Sequence, residues 1–254
     1  MSARLLLALP AVALLAACTS SGKSAPSSSA PVPQGMPTTT AKLSALVTSA
    51  AARISAAHLQ VGLNLSAEQL TGTGDEKLAG GDLAALDLTT RLAGAGDIHV
   101  VYTDGKTYAK LPASMNPSGK PYLLVTPDSS NATIQQLAPY LGAAVTAVSP
   151  GQLGLAAAAA PTADVKGTQT VDGTEATRYA LQVEVAKLPS AIKGQLPAGS
   201  RSLPLDLYVT SNGRLVKADL GLTVQGENVP IDVEFSDFNQ PVTITSPPAG
   251  QVGS

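Results

Sequence analysis

Alternation of apolar and polar residues with a period of two dominates this sequence, in segments separated by strong turn signals. Asp104-Gly105, Asp172-Gly173 and Asn212-Gly213 each lie between two such segments. Because these dipeptides accept the positive φ angles of hairpin turns, the chain is expected to reverse direction at each of them. We therefore predict antiparallel strands in meander order at 58–65, 76–82, 85–92, 97–103, 106–111, 165–171, 175–185, 203–209, 215–224 and 228–238.

Two further segments have helical spacing and are predicted to be helices at about 40–57 and about 131–148. A threonine among 38–40 supplies a capping side chain for the first helix. The sequence shows no alternation of strands with helices of the kind that builds a parallel sheet. The predicted fold is therefore α+β, an antiparallel sheet of about 8–11 strands curved over helices.

The stretch from Ser129 to Ala163 contains no charged residue, and Asp128 and Asp164 bracket it. Several prolines and glycines interrupt it, so a membrane-spanning helix is not expected. Two interpretations stay open. The stretch is either a kinked helical hairpin packed over the sheet or an apolar lid that touches lipid.

The N-terminal residues predict export and anchoring. A charged start, a short apolar run and Leu15-Ala16-Ala17-Cys18 together indicate a secretory signal peptide over 1–17. The last four residues resemble a bacterial lipobox, and Cys18 is the only cysteine. We expect acyl chains such as palmitate on Cys18 to hold the protein on the outer face of the cell membrane. The alternative is an ordinary signal peptide with a chance cysteine.

The remaining chain is predicted to comprise a Ser/Pro-rich tether over 18–40, one domain over 41–248 and a tail over 249–254. The full sequence has 18 acidic and 16 basic residues and contains no basic block, which argues against nucleic acid as a partner. A monomer is expected.

No catalytic site is expected in this chain. His58 and His99 lie in strand contexts and are too few for a zinc site built from histidines. The sequence contains no nucleophile elbow and no phosphate-binding glycine loop after a strand. Asp232 and Glu234 alternate with apolar residues, which places them on a solvent-facing surface. We therefore predict a protein that is not an enzyme and has no metal or other cofactor.

Three groups of short motifs resemble the actinobacterial lipoproteins typified by LppX, LprA, LprF and LprG. They are VYTDGKTY at 101–108, LDLYV with NGRLV at 205–209 and 212–216, and FSDF with VTI and PP at 235–248. The resemblance implies a half-open antiparallel β-barrel curved over helices, similar to the fold of the LolA and LolB carriers, with an apolar cavity between sheet and helices. It further implies transport of acylated lipid through the envelope, without naming the lipid or a partner transporter.

Helical and strand spacing then predict which side chains line such a cavity. The predicted lining is Leu46, Val47, Ala50, Ile54, Val61, Leu63, Leu86, Leu88, Val100, Ile134, Leu137, Leu141, Val145, Leu181, Val183, Leu207 and Leu222. We expect the cavity to bind acylated lipid or glycolipid, which the anchored protein carries or presents in the cell envelope. The alternative is a tethered structural or partner-binding module whose core is filled, because both need the same residues in the same places.

Overall fold

The computed structural model describes residues 34–65, 68–92, 96–116, 118–126, 129, 134–135, 138, 148–194, 196, 199–224 and 227–253. Within them the α-helices are α1 (Thr40–Ala51), α2 (Pro150–Ala158) and α3 (Ser190–Lys193). The first strands are β1 (Ala56–Leu65), β2 (Glu68–Ala79), β3 (Asp82–Leu92), β4 (Gly96–Thr103), β5 (Lys106–Lys110) and β6 (Tyr122–Val125). The later strands are β7 (Ala163–Val171), β8 (Thr174–Glu184), β9 (Ser202–Val209), β10 (Leu215–Val224), β11 (Glu227–Ser236) and β12 (Val252–Gly253).

The twelve strands of this described part form one sheet in the order β12-β6-β5-β4-β3-β2-β1-β11-β10-β9-β8-β7. Two antiparallel meanders, β1 to β6 and β7 to β11, meet where β1 pairs with β11. The short β12 pairs parallel with β6. Since β7 and β12 are unpaired edges among the described strands, the sheet is open there. The predicted α+β architecture is confirmed, with eleven antiparallel strands and one short parallel strand.

Two hairpins follow directly from the turn dipeptides. Asp104 and Gly105 have φ angles of 53° and 71°, and Asp172 and Gly173 have φ angles of 42° and 73°. These values match the two-residue turns that suit the twist of paired strands. Asn212-Gly213 also marks a reversal, but as part of a longer loop in which the amide of Thr210 donates to the carbonyl of Arg214 at 2.9 Å.

The largest errors in the predicted bounds lie at α1 and β2. Helix α1 ends at Ala51 and not at 57, because Ala56 and Ala57 enter β1 and pair with Lys77 and Glu76. Strand pairing therefore overrides the helical preference of alanine. Strand β2 is also longer than predicted, because the glycine-rich residues 71–74 pair with β1 and β3 on either side.

The two longer helices pack against each other and on the inner face of the sheet, the face whose side chains form the main core. Most of the predicted helix at 131–148 lies outside the described residues, although Ile134, Gln135 and Ala138 have helical backbone. Helix α2 follows it, and Pro150 occupies its first turn, where no amide hydrogen is needed. None of the helices in the described chain is long and apolar enough to span a membrane.

One apolar cluster fills the space between the inner face and the helices. It includes Leu43 and Val47 of α1, Leu153 of α2 and side chains from strands of both meanders. Met36, which precedes α1, also belongs to it. Because the described residues begin at 34, a chain that starts at Thr19 retains every contact of the described domain.

Candidate functional site

The strand residues predicted from alternation all lie on the inner face. Strand register places Val61 of β1 opposite Val233 of β11, and Val233 opposite Ala218 of β10. Ala218 in turn lies opposite Leu207 of β9. The nine predicted strand residues belong to the main cluster or pack against it: Val61, Leu63, Leu86, Leu88, Val100, Leu181, Val183, Leu207 and Leu222.

The predicted helical residues are distributed differently. Val47 is buried in the main cluster, whereas Leu46 is half-buried beside Gly213. Ala50 and Ile54 are buried outside that cluster, and Ile54 lies in the connection between α1 and β1. Ile134 is buried in the main cluster. Leu137, Leu141 and Val145 lie outside the described residues.

The interior at these positions is closely packed. Val61 and Leu86 are 1% exposed, and Val183 and Leu207 are 0% exposed. A probe of the size of water therefore reaches almost none of their surface. A ligand can lie against these side chains only if the helices move away from the sheet.

In the described chain, three hydrogen bonds join helix α2 and its flanking residues to other elements, one of them from the amide of Glu184 to the carbonyl of Ala159 at 3.2 Å. The amide of Gly151 donates to the carbonyl of Gly81 at 3.1 Å, and the Ser149 hydroxyl donates to the same carbonyl at 3.4 Å. On its other side, a side chain at Gly154 would lie 3.0 Å from Val47 Cγ1. The absence of a side chain at Gly154 therefore lets α2 approach α1 closely.

The interior also contains a carboxyl group that the sequence analysis missed. Glu76 of β2 lies between Ala57 of β1 and Leu86 of β3, and it is 0% exposed. Neither of its carboxyl oxygens has a hydrogen-bond partner in the described part of the chain. Burial raises the pKa of Glu76 well above its usual range. The signal was present, because Glu76 is in phase with Gly72, Gly74 and Leu78 along one face of β2.

Tyr179 is a second buried polar group on the inner face. It lies opposite Leu207 and is 0% exposed, and its hydroxyl has no partner among the described atoms. Burial raises the pKa of Tyr179 to about 12. The hydroxyl is therefore neutral at physiological pH and can donate a hydrogen bond.

Ion pairs and hydrogen bonds lie on the opposite, outer face. Lys217 binds Glu234 at 2.9 Å, and the Tyr208 hydroxyl donates to Asp219 at 2.9 Å. Burial, followed by the charge of Asp219, raises the pKa of Tyr208 to about 12. These contacts join neighbouring strands, as expected of cross-strand pairs.

The histidines also make cross-strand contacts. His58 lies 2.9 Å from Asp75, and His99 lies 2.7 Å from Asp87 and 3.1 Å from the Tyr122 hydroxyl. Among the described residues, no three histidine, cysteine or acidic side chains lie together in a group that could hold a metal.

Described residues line at least two cavities that open at the surface. One of about 240 Å³ lies by the β7–β8 turn and the end of β11, and its lining includes Asp172, Arg214 and Glu234. The other, of about 560 Å³, lies at the end of β8. Its lining residues are Val185, Ala186, Lys193, Leu196, Gly199, Ser200 and Arg201. The second is the more apolar, and its floor adjoins the main core through Val185.

Comparison with solved structures identifies the fold. The chain is similar to the lipoprotein LppX of Mycobacterium tuberculosis, with 14% identity, coverage of 81% of this chain and 99% of that one, and a TM-score of 0.52. LprF from Mycobacterium bovis shows 14% identity over 83% and 99% of the two chains, with a TM-score of 0.49. The sequence matches no family profile and no curated protein. At this identity LppX supports the fold alone, and at that level the predicted resemblance is confirmed.

Proposed function

We propose that this protein is an anchored lipoprotein that binds acylated lipid or glycolipid between the sheet and its helices and carries or presents it in the cell envelope. The observation that carries the proposal is that helices cover the apolar inner face of the sheet. A continuous apolar face extends across both meanders, and short helices cover it in place of a second sheet. Helix α1 has one charged residue, Lys42, and α2 has none.

Such helices suit a cover that exchanges its contacts with the sheet for contacts with lipid. Leu155 of α2 is 44% exposed and is the one large exposed apolar side chain of the described residues. Helices with so little charge are usually covered on more than one side. Because the described residues form only three hydrogen bonds with α2 and its flanking residues, displacement of the helix breaks few directional contacts among them.

The energy of binding is of a suitable size. Each buried methylene contributes about 0.8 kcal/mol, so a chain of about sixteen carbons offers roughly 12 kcal/mol before costs. Ordering the chain and displacing the helices remove a large part of this gain. The remainder comes from apolar area, which needs no dedicated polar group for affinity.

Anchoring through Cys18 completes the proposal. It is supported by the lipobox-like Leu15-Ala16-Ala17-Cys18 and by the absence of any other cysteine. Acyl chains there would keep the domain beside the membrane from which its ligand comes. A position in the cell envelope also agrees with the similarity to a bacterial lipoprotein.

A second candidate function is favoured by one observation, the close packing of the inner face. If the side chains that are at most 1% exposed stay packed in solution, the domain is a structural or partner-binding module with a filled core. The two proposals differ in whether an acyl chain reaches the inner face.

The test is saturable binding of a fluorescent fatty acyl lipid to the chain from Thr19 onward, with Ala218→Trp as the blocking variant. Ala218 lies on the inner face of β10, is 0% exposed and sits opposite Leu207 and Val233. An indole there occupies the space that the acyl chain needs. We expect parent binding and a loss of at least about 10-fold in the variant, which corresponds to about 1.4 kcal/mol.

Ala180→Trp is the matched control, because Ala180 of β8 lies on the outer face of the sheet, opposite Asp206. It should bind lipid as the parent does. If the parent shows no saturable binding and Ala218→Trp only loses about 1–3 kcal/mol of stability through overpacking, the filled-core module is the better account.

A further inference from the structure

The connection between β8 and β9 has a distinctive charge pattern. Residues 185–201 contain Lys187, Lys193 and Arg201 and no aspartate or glutamate. This basic connection includes α3 and supplies all of the lining residues of the cavity of about 560 Å³. That volume falls within the roughly 300–1,000 Å³ of small-molecule sites.

The cavity has an apolar floor and a basic rim. Val185 belongs to the main core, and Leu196 is half-buried and packs against that core. Lys193 and Arg201 are exposed residues of the same lining. Apolar surface that continues into the interior therefore meets positive charge at the opening.

No acidic side chain of the described residues pairs with either of the two rim cations. The Lys193 ammonium donates to the carbonyl of Ala186 at 3.0 Å, which holds it at the opening. In the described chain, neither Lys193 nor Arg201 has an acidic group within 4.0 Å. Lys187, the third cation of the connection, pairs with Glu184 at 2.9 Å. Two positive charges are therefore available to a ligand.

The apolar side chains of the connection indicate where that ligand lies. Leu188 and Ile192 are each 4% exposed and belong to the main core. An amphipathic segment that inserts into a membrane presents its apolar side chains outward. Here those two side chains point inward, which favours a ligand bound in the cavity over insertion of the connection into a bilayer.

We propose that this cavity is the head-group end of the lipid site and that it selects acylated lipids with an anionic head, such as a phosphate. The Arg201 guanidinium and the Lys193 ammonium bind the anion, and the acyl chain continues past Val185 towards the inner face. Guanidinium groups bind phosphate through paired hydrogen bonds, and an ammonium adds a point charge. The inference rests on the proposed function and specifies its ligand class.

The test compares two probes with the same acyl chains on the chain from Thr19 onward: dioleoyl phosphatidylglycerol, whose head group contains an anionic phosphate, and dioleoyl glycerol, which has a neutral hydroxyl in its place. Hydrogen bonds to charged groups are strong enough that each cation removed should weaken phosphatidylglycerol binding by about 10-fold. We expect Lys193→Gln/Arg201→Gln to lose the preference for phosphatidylglycerol and to keep its affinity for dioleoyl glycerol. Added salt should reduce the preference of the parent.

Lys187→Gln is the matched control, because it makes the same change in the same connection at a lysine already paired with Glu184 and outside the lining. It should retain the preference. Equal affinity of the parent for both probes, or an unchanged preference in the double variant, overturns the head-group site and leaves the proposed function standing. Failure of both probes to bind overturns the proposed function as well. Glycerol phosphate has the charge without the chains, and effective competition by it overturns lipid as the source of the anion.

Discussion

Replacing the buried carboxyl of Glu76 should stabilise the protein. Both oxygens lack a partner within the described structure, and the group lies among apolar side chains of the inner face. An unsatisfied buried polar group costs about 1–3 kcal/mol, and Glu76→Leu removes it at similar volume. For a domain of this size the gain corresponds to a rise in Tm of roughly 3–10 °C.

The pH dependence follows from the direction of the pKa shift. Burial raises the pKa of Glu76, so the folded protein keeps a proton that the unfolded chain releases above about pH 4.3. Stability therefore falls as pH rises from the unfolded pKa to the raised folded pKa, and it is constant above that. Glu76→Gln should lack this decline, because its amide does not titrate in this range.

The assay is urea unfolding of the parent, Glu76→Leu and Glu76→Gln across this pH range. Glu175→Gln is the control, because it makes the same change at an exposed position of β8 and should leave the decline unchanged. If stability falls equally with rising pH in the parent and in Glu76→Gln, Glu76 is not the group that causes the decline. A Glu76→Leu variant less stable than the parent would show that the carboxyl has a partner in solution.

Two further predictions concern helix packing and anchoring. Gly154→Ala should destabilise the domain by about 1–3 kcal/mol through overpacking, although alanine normally favours a helix. The new Cβ would lie 2.9 Å from Thr48 Cγ2, whereas the Cβ of the control Gly250→Ala would meet nothing within 4 Å. Urea unfolding of the two variants and the parent measures the effect. Cys18→Ala should abolish acylation and leave an uncleaved or released chain. Detergent partitioning is the measurement. A processed variant that still enters the detergent phase would contradict an anchor at Cys18.

Local signals were sufficient to predict much of the sheet. Asp104-Gly105 and Asp172-Gly173 determine their hairpins because few other dipeptides accept positive φ at both positions. Alternation also assigned strand residues such as Val61 and Leu207 to a common face, and strand register places them there. These features depend on neighbouring residues alone, which is why the sequence contains them.

Features that depend on distant contacts were predicted poorly. Gly72 and Gly74 weaken the strand pattern of β2, which pairing with β1 and β3 restores. Helix α2 starts at a proline and contains two glycines, yet it forms because α1 and Gly81 contact it. Strand β6 has four residues after Pro121 and was missed, because its pairing with β5 defines it.

The candidate site shows the same division. Composition and spacing predicted an apolar inner face. The Glu76 carboxyl has no hydrogen-bond partner among the described residues, and Lys193 and Arg201 lie beside one cavity. Both features depend on contacts between segments that are separate in sequence. The apolar face either stays packed or opens for a ligand, and the free energy of moving α1 and α2 decides between the two. The pattern of apolar and polar residues does not determine that free energy.

Native mass spectrometry of the chain from Thr19 onward, after incubation with lipids extracted from a bacterial envelope, tests lipid binding most directly. The account predicts a population carrying the added mass of one acylated lipid, which collisional activation releases and fragmentation identifies as an anionic species. A bare mass, both after this incubation and after incubation with phosphatidylglycerol and with neutral acylglycerols, would contradict it.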